Sequence, residues 1–447
     1  MLLATTDRLL LHRLAQAQSE GRAPAMAAAV VREGEVAWRH AIETTTDTQF
    51  RIGSLTKTFV AVLIMRLRDE GLLDLADLLD KHLPGTKAGA MSIAQLLSHT
   101  SGLASETPGP WWERTPGELR PELADILGEA PVKHPAGRRH HYSNPGFALL
   151  GAVVERLRGV PWGQALQREI LDPLGMRRTS LLPQEPHARG FAVHPWADVL
   201  QPEVVQETGR MAPAGQLWST IDDLCLFANL LSFGREGVLS ADTVAEMRVP
   251  GVAPEEAAWD SAYGLGMQTY RANGRLLAGH TGSMPGFLCA LWVNVAEGLS
   301  AVALTNTTSG IAIGQLSADL LSIVADHEPR IPATWKPLSD VDPELLAMTG
   351  PWYWGPAGLG LKLPADGVLE LVSLSGSGLG TRFRPNGDGT WVGLSGYFAG
   401  ETLRPMRDAQ GNLSHLDLGS FVLTRQPYDP QAPIPGGVDP AGWSGTV

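Results

Sequence analysis

The sequence predicts an α/β (α+β) chain: an antiparallel sheet flanked by helices with a mainly helical insertion, followed by a small all-β barrel. Three observations carry that reading. Strand-like runs between about residues 262 and 306 follow one another through polar or glycine turns, a connection that pairs neighbours antiparallel. Residues 72 to about 215 break into short helical patterns punctuated by proline and glycine. Beyond residue 337, short alternating runs are separated by turn signals such as "PADG" and "PNGDG".

Taken in order, the first segment, "MLLATTDRLLLHRLAQAQSEGR", spaces Asp7, Arg8, His12 and Arg13 through its leucines, which suits an amphipathic surface helix better than a signal-peptide core. "AMAAAVVREGEVAWRH" then reads as two strands joined at Glu33-Gly34, and the polar link "ETTTDTQ" follows. The run "FVAVLIM", Phe59 to Met65, is apolar on every face and predicts a helix enclosed on all sides, ended by Gly71. Within the helical insertion stand "SIAQLLSHTSGL" and "NPGFALLGAVVERLRGVPWGQALQREIL", with loops such as "ETPGPWWERTPGELRP". "STIDDLCLFANLLSFG" has a helix start at Ser219 or Thr220 and a stop at Gly234. Four strands, "AYGLGMQTYR", "RLLAGHTGS", "FLCALWVNV" and "LSAVALTN", precede the helix "IAIGQLSADLLSIVADH". The proline-bearing connector "EPRIPATWKPLSDVDP" places a domain boundary near residue 335, giving domains 1–335 and 336–447. In the second, "LGLKL", "VLELVSL", "RFR", "TWVGL" and "NLSHLDLGSFVLTR" read as strands, and "DPQAPIPGGVDPAGWSGTV" as an irregular tail.

Composition narrows the function classes. The net charge is 35 − 47 = −12 with no run of Lys or Arg, which argues against nucleic acid as a partner. No segment offers ~18 uncharged apolar residues, so no membrane partner is expected and a cytoplasmic location is. Cys225 and Cys289 both sit in apolar surroundings and read as buried reduced thiols, which excludes a disulfide framework while leaving one bridge open.

Chemistry enters with "RIGSLTKTF", residues 51–59. Positions i and i+3 share a helix face, so the Ser54 hydroxyl and the Lys57 amine can meet. A lysine at the margin of an apolar run is partly desolvated, and the positive helix end favours an alkoxide while penalising an ammonium. Neutral Lys57 can then take the serine proton. The pattern is short, however: the chain has six lysines, and chance alone gives one Ser-x-x-Lys match in roughly a third of such chains.

Two further elements add weight. "HHYSNPGF" supplies Tyr142-Ser143-Asn144 and "AGHTGSMPGF" supplies His280-Thr281-Gly282. In order and separation the three motifs resemble the serine β-lactamase and penicillin-binding-protein superfamily, with its class C and D,D-carboxypeptidase, D-aminopeptidase and esterase branch the nearest likeness. "LLSHTSGL", "LDPLGMRRTS" and "APAGQLWSTIDDLCLFANLL" extend it across about residues 20–325. The segment after 337 resembles the lipocalin-like modules appended to some members. The resemblance implies the β-lactamase/transpeptidase-like fold, Ser54 as nucleophile, Lys57 as its proton acceptor and Tyr142 as relay to the leaving group. It implies Asn144 bonding both the substrate amide and Lys57, and backbone N–H groups of Ser54 and Ser283 forming an oxyanion hole. His280-Thr281-Gly282 is expected on the sheet's edge strand, with Gly282 bare so that a substrate can approach.

His280 departs from the lysine that many members carry. An ordinary histidine titrates near ~6.5, so a grip on a substrate carboxylate is expected to strengthen below neutral pH. The other candidates have bland readings. His134, His140 and His141 lack any metal-ligand spacing and read as pocket rim or solvated loop; no metal and no cofactor are expected. Trp111 and Trp112 suit a pocket wall and simple packing equally, and His99 reads as a structural hydrogen-bonding residue in a helix-end turn. No Gly-x-Ser-x-Gly, phosphate loop or dinucleotide fingerprint occurs. The expected function is ester or amide hydrolysis on a small molecule or peptide by an esterase or D-stereospecific peptidase. A β-lactamase or D,D-carboxypeptidase is the alternative within the class, and a non-catalytic receptor the alternative outside it.

Overall fold

The computed structural model describes residues 2–109, 111–114, 122–253, 260–376, 378–427, 429, 431–433 and 437. They divide into two units, Met1–Arg330 and Ile331–Val447. In the first, helix α1 (Ala4–Glu20) leads into the hairpin β1 (Met26–Arg32) and β2 (Glu35–Ile42). Its turn residues Glu33 and Gly34 lie at φ 51 and 85, the left-handed pair whose twist matches that of flanking strands. Helices α2 (Thr56–Asp69), α3 (Asn144–Arg158) and α4 (Ile221–Phe233) follow, with shorter helical pieces between them. Strands β3 (Ser261–Tyr263), β4 (Gln268–Ala272), β5 (Arg275–Met284), β6 (Phe287–Asn294) and β7 (Leu299–Thr305) lead to helix α5 (Ile313–His327).

These strands form one antiparallel seven-stranded sheet, ordered β2-β1-β7-β6-β5-β4-β3. Period-two alternation sorts its side chains into two cores. Ala27, Ala29 and Val31 of β1 join Cys289, Leu291 and Val293 of β6 against α2 and α4. Met26, Ala28 and Val30 join Ala290 and Trp292 against Leu10 and Leu14 of α1 and Leu316 and Leu320 of α5. On α2 every residue from Thr56 to Met65 is buried, as an all-apolar run demands. Cys225 and Cys289 are free and buried.

Two features of this unit differ from expectation. The run "AYGLGMQTYR" is two strands rather than one, because Gly266 at φ 71 turns the chain between β3 and β4. The insertion, expected to be helical, also carries a hairpin of Phe191–Val193 with Leu200–Pro202.

The second unit is a closed antiparallel barrel of eight strands: β8 (Gly350–Trp354), β9 (Ala357–Lys362), β10 (Leu369–Ser373), β11 (Thr381–Pro385), β12 (Trp391–Gly393), β13 (Thr402–Arg407), β14 (Leu413–Leu418) and β15 (Phe421–Thr424). Trp352, Phe383, Leu403 and Leu416 fill its centre. Sequence patterning missed β8 and β13, each of which contains a proline, and merged β14 with β15, which Gly419 at φ 65 separates. Residues 110 and 115–121 of the proline-rich loop, and most of the expected tail after residue 429, lie outside the described residues. Among the described residues no helix is long and apolar enough to cross a membrane.

Candidate active site

The chain reaches Ser54 through a short strand, Phe50–Arg51, paired with Trp218–Ser219. A tight 3-10 turn, Gly53–Leu55, then feeds α2. One turn on, Lys57 Nζ stands 2.9 Å from Ser54 Oγ. It also donates to the Ala214 carbonyl at 2.7 Å and is 0% exposed. Burial pulls the amine down to about 7, against the opposing fields of Glu106 and Glu113. Near neutral pH a share of the molecules therefore carry an uncharged amine 2.9 Å from the serine hydroxyl.

Tyr142 closes the group from the other side. Its ring lies 4.9 Å from Lys57 Nζ, and the Ser54 hydroxyl is close enough to act on its phenol. Burial pushes the phenol well above its ordinary range, so it stays protonated at neutral pH and is available as a proton donor. The tyrosine is held by its neighbours. Ser143 caps α3, accepting the Gly146 N–H at 3.1 Å, and donates its own N–H to Nδ1 of fully buried His99 at 3.0 Å. The His99 ring packs 4.2 Å from that of Tyr142. Asn144 departs from expectation. Its Nδ2 donates to Glu106 Oε1 at 2.7 Å, its Oδ1 is buried without a partner, and no bond to Lys57 forms. Two competing acceptors explain this: Glu106 turns the amide, and the Ala214 carbonyl accepts a hydrogen bond from the amine.

The strand β5 carries His280, Thr281, Gly282 and Ser283, and it is not the sheet's edge, since β4 and β3 lie outside it. Pairing with β4 stops at Gly279, however, so Thr281–Met284 has no strand beside it on that flank. Gln268 Oε1 caps the gap, accepting from the Thr281 N–H at 3.0 Å and from its hydroxyl at 3.1 Å. Backbone N–H groups two apart point the same way, so that of Ser283 points to this flank too. Gly53, at φ 51, backs directly onto it: a Cβ there would sit 2.6 Å from the Ser283 nitrogen. The Ser54 and Ser283 N–H groups are thus drawn together by backbone packing. Gly282 is bare for a different reason than expected. An added Cβ would fall 1.9 Å from the Ile52 carbonyl oxygen, so the missing side chain admits the turn that carries Ser54 and not a substrate. Thr281 turns to the opposite face, where its methyl meets Gly314 of α5.

His280 is also unlike the expectation. Its Nδ1–H donates to the Thr281 carbonyl, and its Nε2 accepts from the Tyr263 hydroxyl at 2.9 Å. Burial, helped by nearby Lys57, pulls it down to about 3. The ring is therefore neutral throughout the physiological range and has no proton to offer a substrate carboxylate. The ratio of kcat/KM for a carboxylate-bearing ester to that for its neutral analogue should stay flat between pH 5.5 and 8.5, while both rise through about pH 7 as Lys57 loses its proton. Paired pH profiles check this, and a ratio climbing below pH 7 would return the histidine to the binding role.

Of the remaining candidates, His141 donates from Nδ1 to the Leu103 carbonyl at 2.7 Å and stacks edge-on with His134. His140 lines a cavity of about 280 Å³ together with Tyr142, Tyr263, Thr281 and Gln315. A larger cavity, about 400 Å³, lies beside Gly151, Pro213 and Gln216 and touches none of the motif residues. Trp112 is buried and donates to Glu106 Oε2 at 2.7 Å, whereas Trp111 is exposed. Sequence reasoning missed Glu106, Tyr263 and the Ala214 carbonyl. Only the last had any signal, in the word "APAGQLWST".

A family model described as Beta-lactamase matches residues 11–325, and one described as Domain of unknown function (DUF7586) matches residues 341–425. Penicillin-binding protein 4 of Amycolatopsis lactamdurans is 29% identical over 323 residues, covering 68% of this chain and 83% of its own. The D-aminopeptidase of Brucella anthropi is 26% identical over 337 residues, covering 68% of this chain and 62% of its own. Among solved structures, the octameric penicillin-binding protein homologue from Pyrococcus abyssi superposes with a TM-score of 0.64 at 21% identity, over 93% of this chain and 99% of its own. A D-stereospecific amidohydrolase from Streptomyces sp. superposes with a TM-score of 0.61 at 25% identity, over 73% and 99%.

Proposed function

Because the chain belongs to the beta-lactamase family, we propose that it is a serine hydrolase cleaving a small ester or amide through an acyl-Ser54 intermediate. One observation carries the reading: an amine sealed from water, held to about 7, stands 2.9 Å from the Ser54 hydroxyl. In this reading neutral Lys57 takes the Ser54 proton as Oγ attacks the carbonyl carbon. The Ser54 and Ser283 N–H groups receive the developing oxyanion, where each donor is typically worth ~10²-fold or more. The protonated Tyr142 phenol passes its proton to the leaving group and is refilled from the Ser54–Lys57 pair. Deacylation runs the same relay on water. No step calls on a metal or organic cofactor.

Within the class, an esterase or D-stereospecific peptidase is the reading the site supports. The D-aminopeptidase and D-stereospecific amidohydrolase relatives favour it, and a neutral His280 argues against strong retention of the carboxylate that β-lactams and D,D-peptides carry. The test is intact-mass measurement after mixing with p-nitrophenyl esters, D-aminoacyl amides and β-lactams. A transient acyl adduct that peptide mapping places on Ser54, with a burst and then steady turnover, is the expected result. No adduct on Ser54 with any of them would leave the fold as a receptor.

A further inference from the structure

We propose that His99 is the positioning residue of the proton relay: it holds the Tyr142 phenol in line with the Ser54–Lys57 pair and so sets how readily a basic leaving group is expelled. The inference goes beyond the serine-hydrolase reading and rests on its assignment of Tyr142 as proton donor.

One residue grips Tyr142 on both flanks and on its ring. The His99 carbonyl accepts the His141 N–H at 2.7 Å, and His99 Nδ1 accepts the Ser143 N–H at 3.0 Å. Between those bonds the His99 and Tyr142 rings stand 4.2 Å apart, tilted by 35°. The backbone on either side of the tyrosine is therefore fixed to the residue that its ring packs against. A second observation concerns the conformation of His99 itself. The helix Ile93–Leu97 ends in a Schellman turn, with the Thr100 N–H on the Gln95 carbonyl at 2.9 Å and the His99 N–H on the Leu96 carbonyl at 3.4 Å. The left-handed place in such a turn usually belongs to glycine, yet here it is His99 at φ 56. A side chain is kept in that region only where the surroundings enforce it. Glycine would end the helix with less strain, and it would leave Tyr142 without the ring and without the Nδ1 bond.

The imidazole is held as firmly as it holds. Phe147 stands 5.2 Å from its centre, Tyr263 4.6 Å and His140 5.8 Å, and the residue is 0% exposed. Because Nδ1 accepts, Nε2 carries the ring proton, and that buried N–H has no acceptor. Buried donors without acceptors are rare and need a reason. Here the fold accepts one in exchange for the ring face and the Nδ1 bond that fix Tyr142. Burial, helped by the charge of Lys57, holds the imidazole well below its ordinary range, so Nδ1 stays an acceptor at working pH. The aligned phenol then acts on the leaving group. As the bond from the carbonyl carbon to the leaving oxygen or nitrogen breaks, its electron pair takes the phenol's proton, and Lys57, which received the Ser54 proton in the attack, returns one to the phenolate oxygen. Nitrophenolate, a weak base, departs without that help, whereas an alkoxide does not.

The test measures kcat/KM for the p-nitrophenyl, phenyl and trifluoroethyl esters of butyric acid, which share one acyl group and differ in the basicity of what leaves. Relative to wild type, Tyr142→Phe should lose ~10²-fold or more on the trifluoroethyl ester and far less on the p-nitrophenyl ester. His99→Leu should repeat the pattern with a differential loss of ~10-fold, as a misaligned donor would. His99→Asn keeps an oxygen that can accept from Ser143 and tolerates a positive φ, so it should fall between His99→Leu and wild type. With Tyr142 already replaced by Phe, the His99 changes should add no further selectivity. Each ratio is read on one preparation, so partial misfolding cancels, and His99→Asn carries the test if His99→Leu does not fold. Equal losses on all three esters in every His99 variant that folds, or a selectivity change that persists beside Tyr142→Phe, overturns the inference and leaves the hydrolase standing. A wild-type ester preference in Tyr142→Phe itself removes the donor and this inference with it. No acyl adduct on Ser54 from p-nitrophenyl butyrate in the wild-type protein removes the hydrolase reading as well.

Discussion

Lys57→Met is expected to lose ~10²- to 10⁴-fold in kcat/KM, the range for removing a positioned general base, and to gain stability near neutral pH. The two effects share one cause. Methionine fills the same volume without the amine, so Ser54 keeps its place and loses its proton acceptor. For stability the sign follows from where the proton is bound. Lys57 titrates at about 7 when folded against a usual 10.5, so between those values the unfolded chain holds a proton that the folded one has released. Wild-type stability therefore rises with pH across that window and is poorest at its lower end. At ~1.4 kcal/mol per unit, the burden at pH 7 is on the order of a few kcal/mol. Methionine removes it and leaves the Ala214 carbonyl short of a donor, a smaller penalty of ~1–3 kcal/mol. Kinetics with a p-nitrophenyl ester and thermal unfolding at pH 7 and 9.5 check both halves. The variant should melt higher than wild type at pH 7, with the gap shrinking at 9.5. A variant that keeps more than a tenth of the activity would sink Lys57 as base.

Gly282→Ala is the second large effect, from a single methyl group. The new Cβ meets the Ile52 carbonyl oxygen at 1.9 Å and its carbon at 2.9 Å. Both are backbone atoms, so no rotamer change relieves the clash. Ile52 immediately precedes the Gly53–Leu55 turn, and displacing it by about 1 Å carries the Ser54 hydroxyl and N–H out of register with Lys57 and Ser283. Misplacement on that scale costs ~10²-fold in rate, and overpacking costs ~1–3 kcal/mol of stability. Steady-state kinetics and a denaturant melt measure the two losses, and near-wild-type kcat/KM in a folded variant would show that the turn tolerates the shift.

These predictions separate what was legible in the sequence from what was not. That Ser54 and Lys57 can meet follows from helical periodicity, their catalytic weight from the two further motifs, and the enclosed α2 from an unbroken apolar run. The reason for Gly282 is a contact with residue 52, and that for the neutral His280 is its burial beside Lys57, with Tyr263 of β3, two strands away, on its Nε2; no local pattern encodes either. Glu106 sits in a proline-rich loop with no periodicity to mark it. In the barrel, β8 and β13 escaped because Pro351 and Pro405 read as breakers, although proline is tolerated where a strand leaves its N–H unused. Strands β1, β6 and β7 were readable as short continuous apolar runs, such as "MAAAVV", because helices cover both faces of the sheet.

The closure of the C-terminal unit has a consequence of its own. Its last strand returns to its first through Tyr353 and Thr424, so the ring of strands closes and, among the described residues, no strand is a free edge. A closed ring gives another polypeptide little backbone to pair with alongside. Whatever that module meets, it must recognise through side chains and turn tips alone, leaving its outer residues free to diversify while the cylinder itself stays intact.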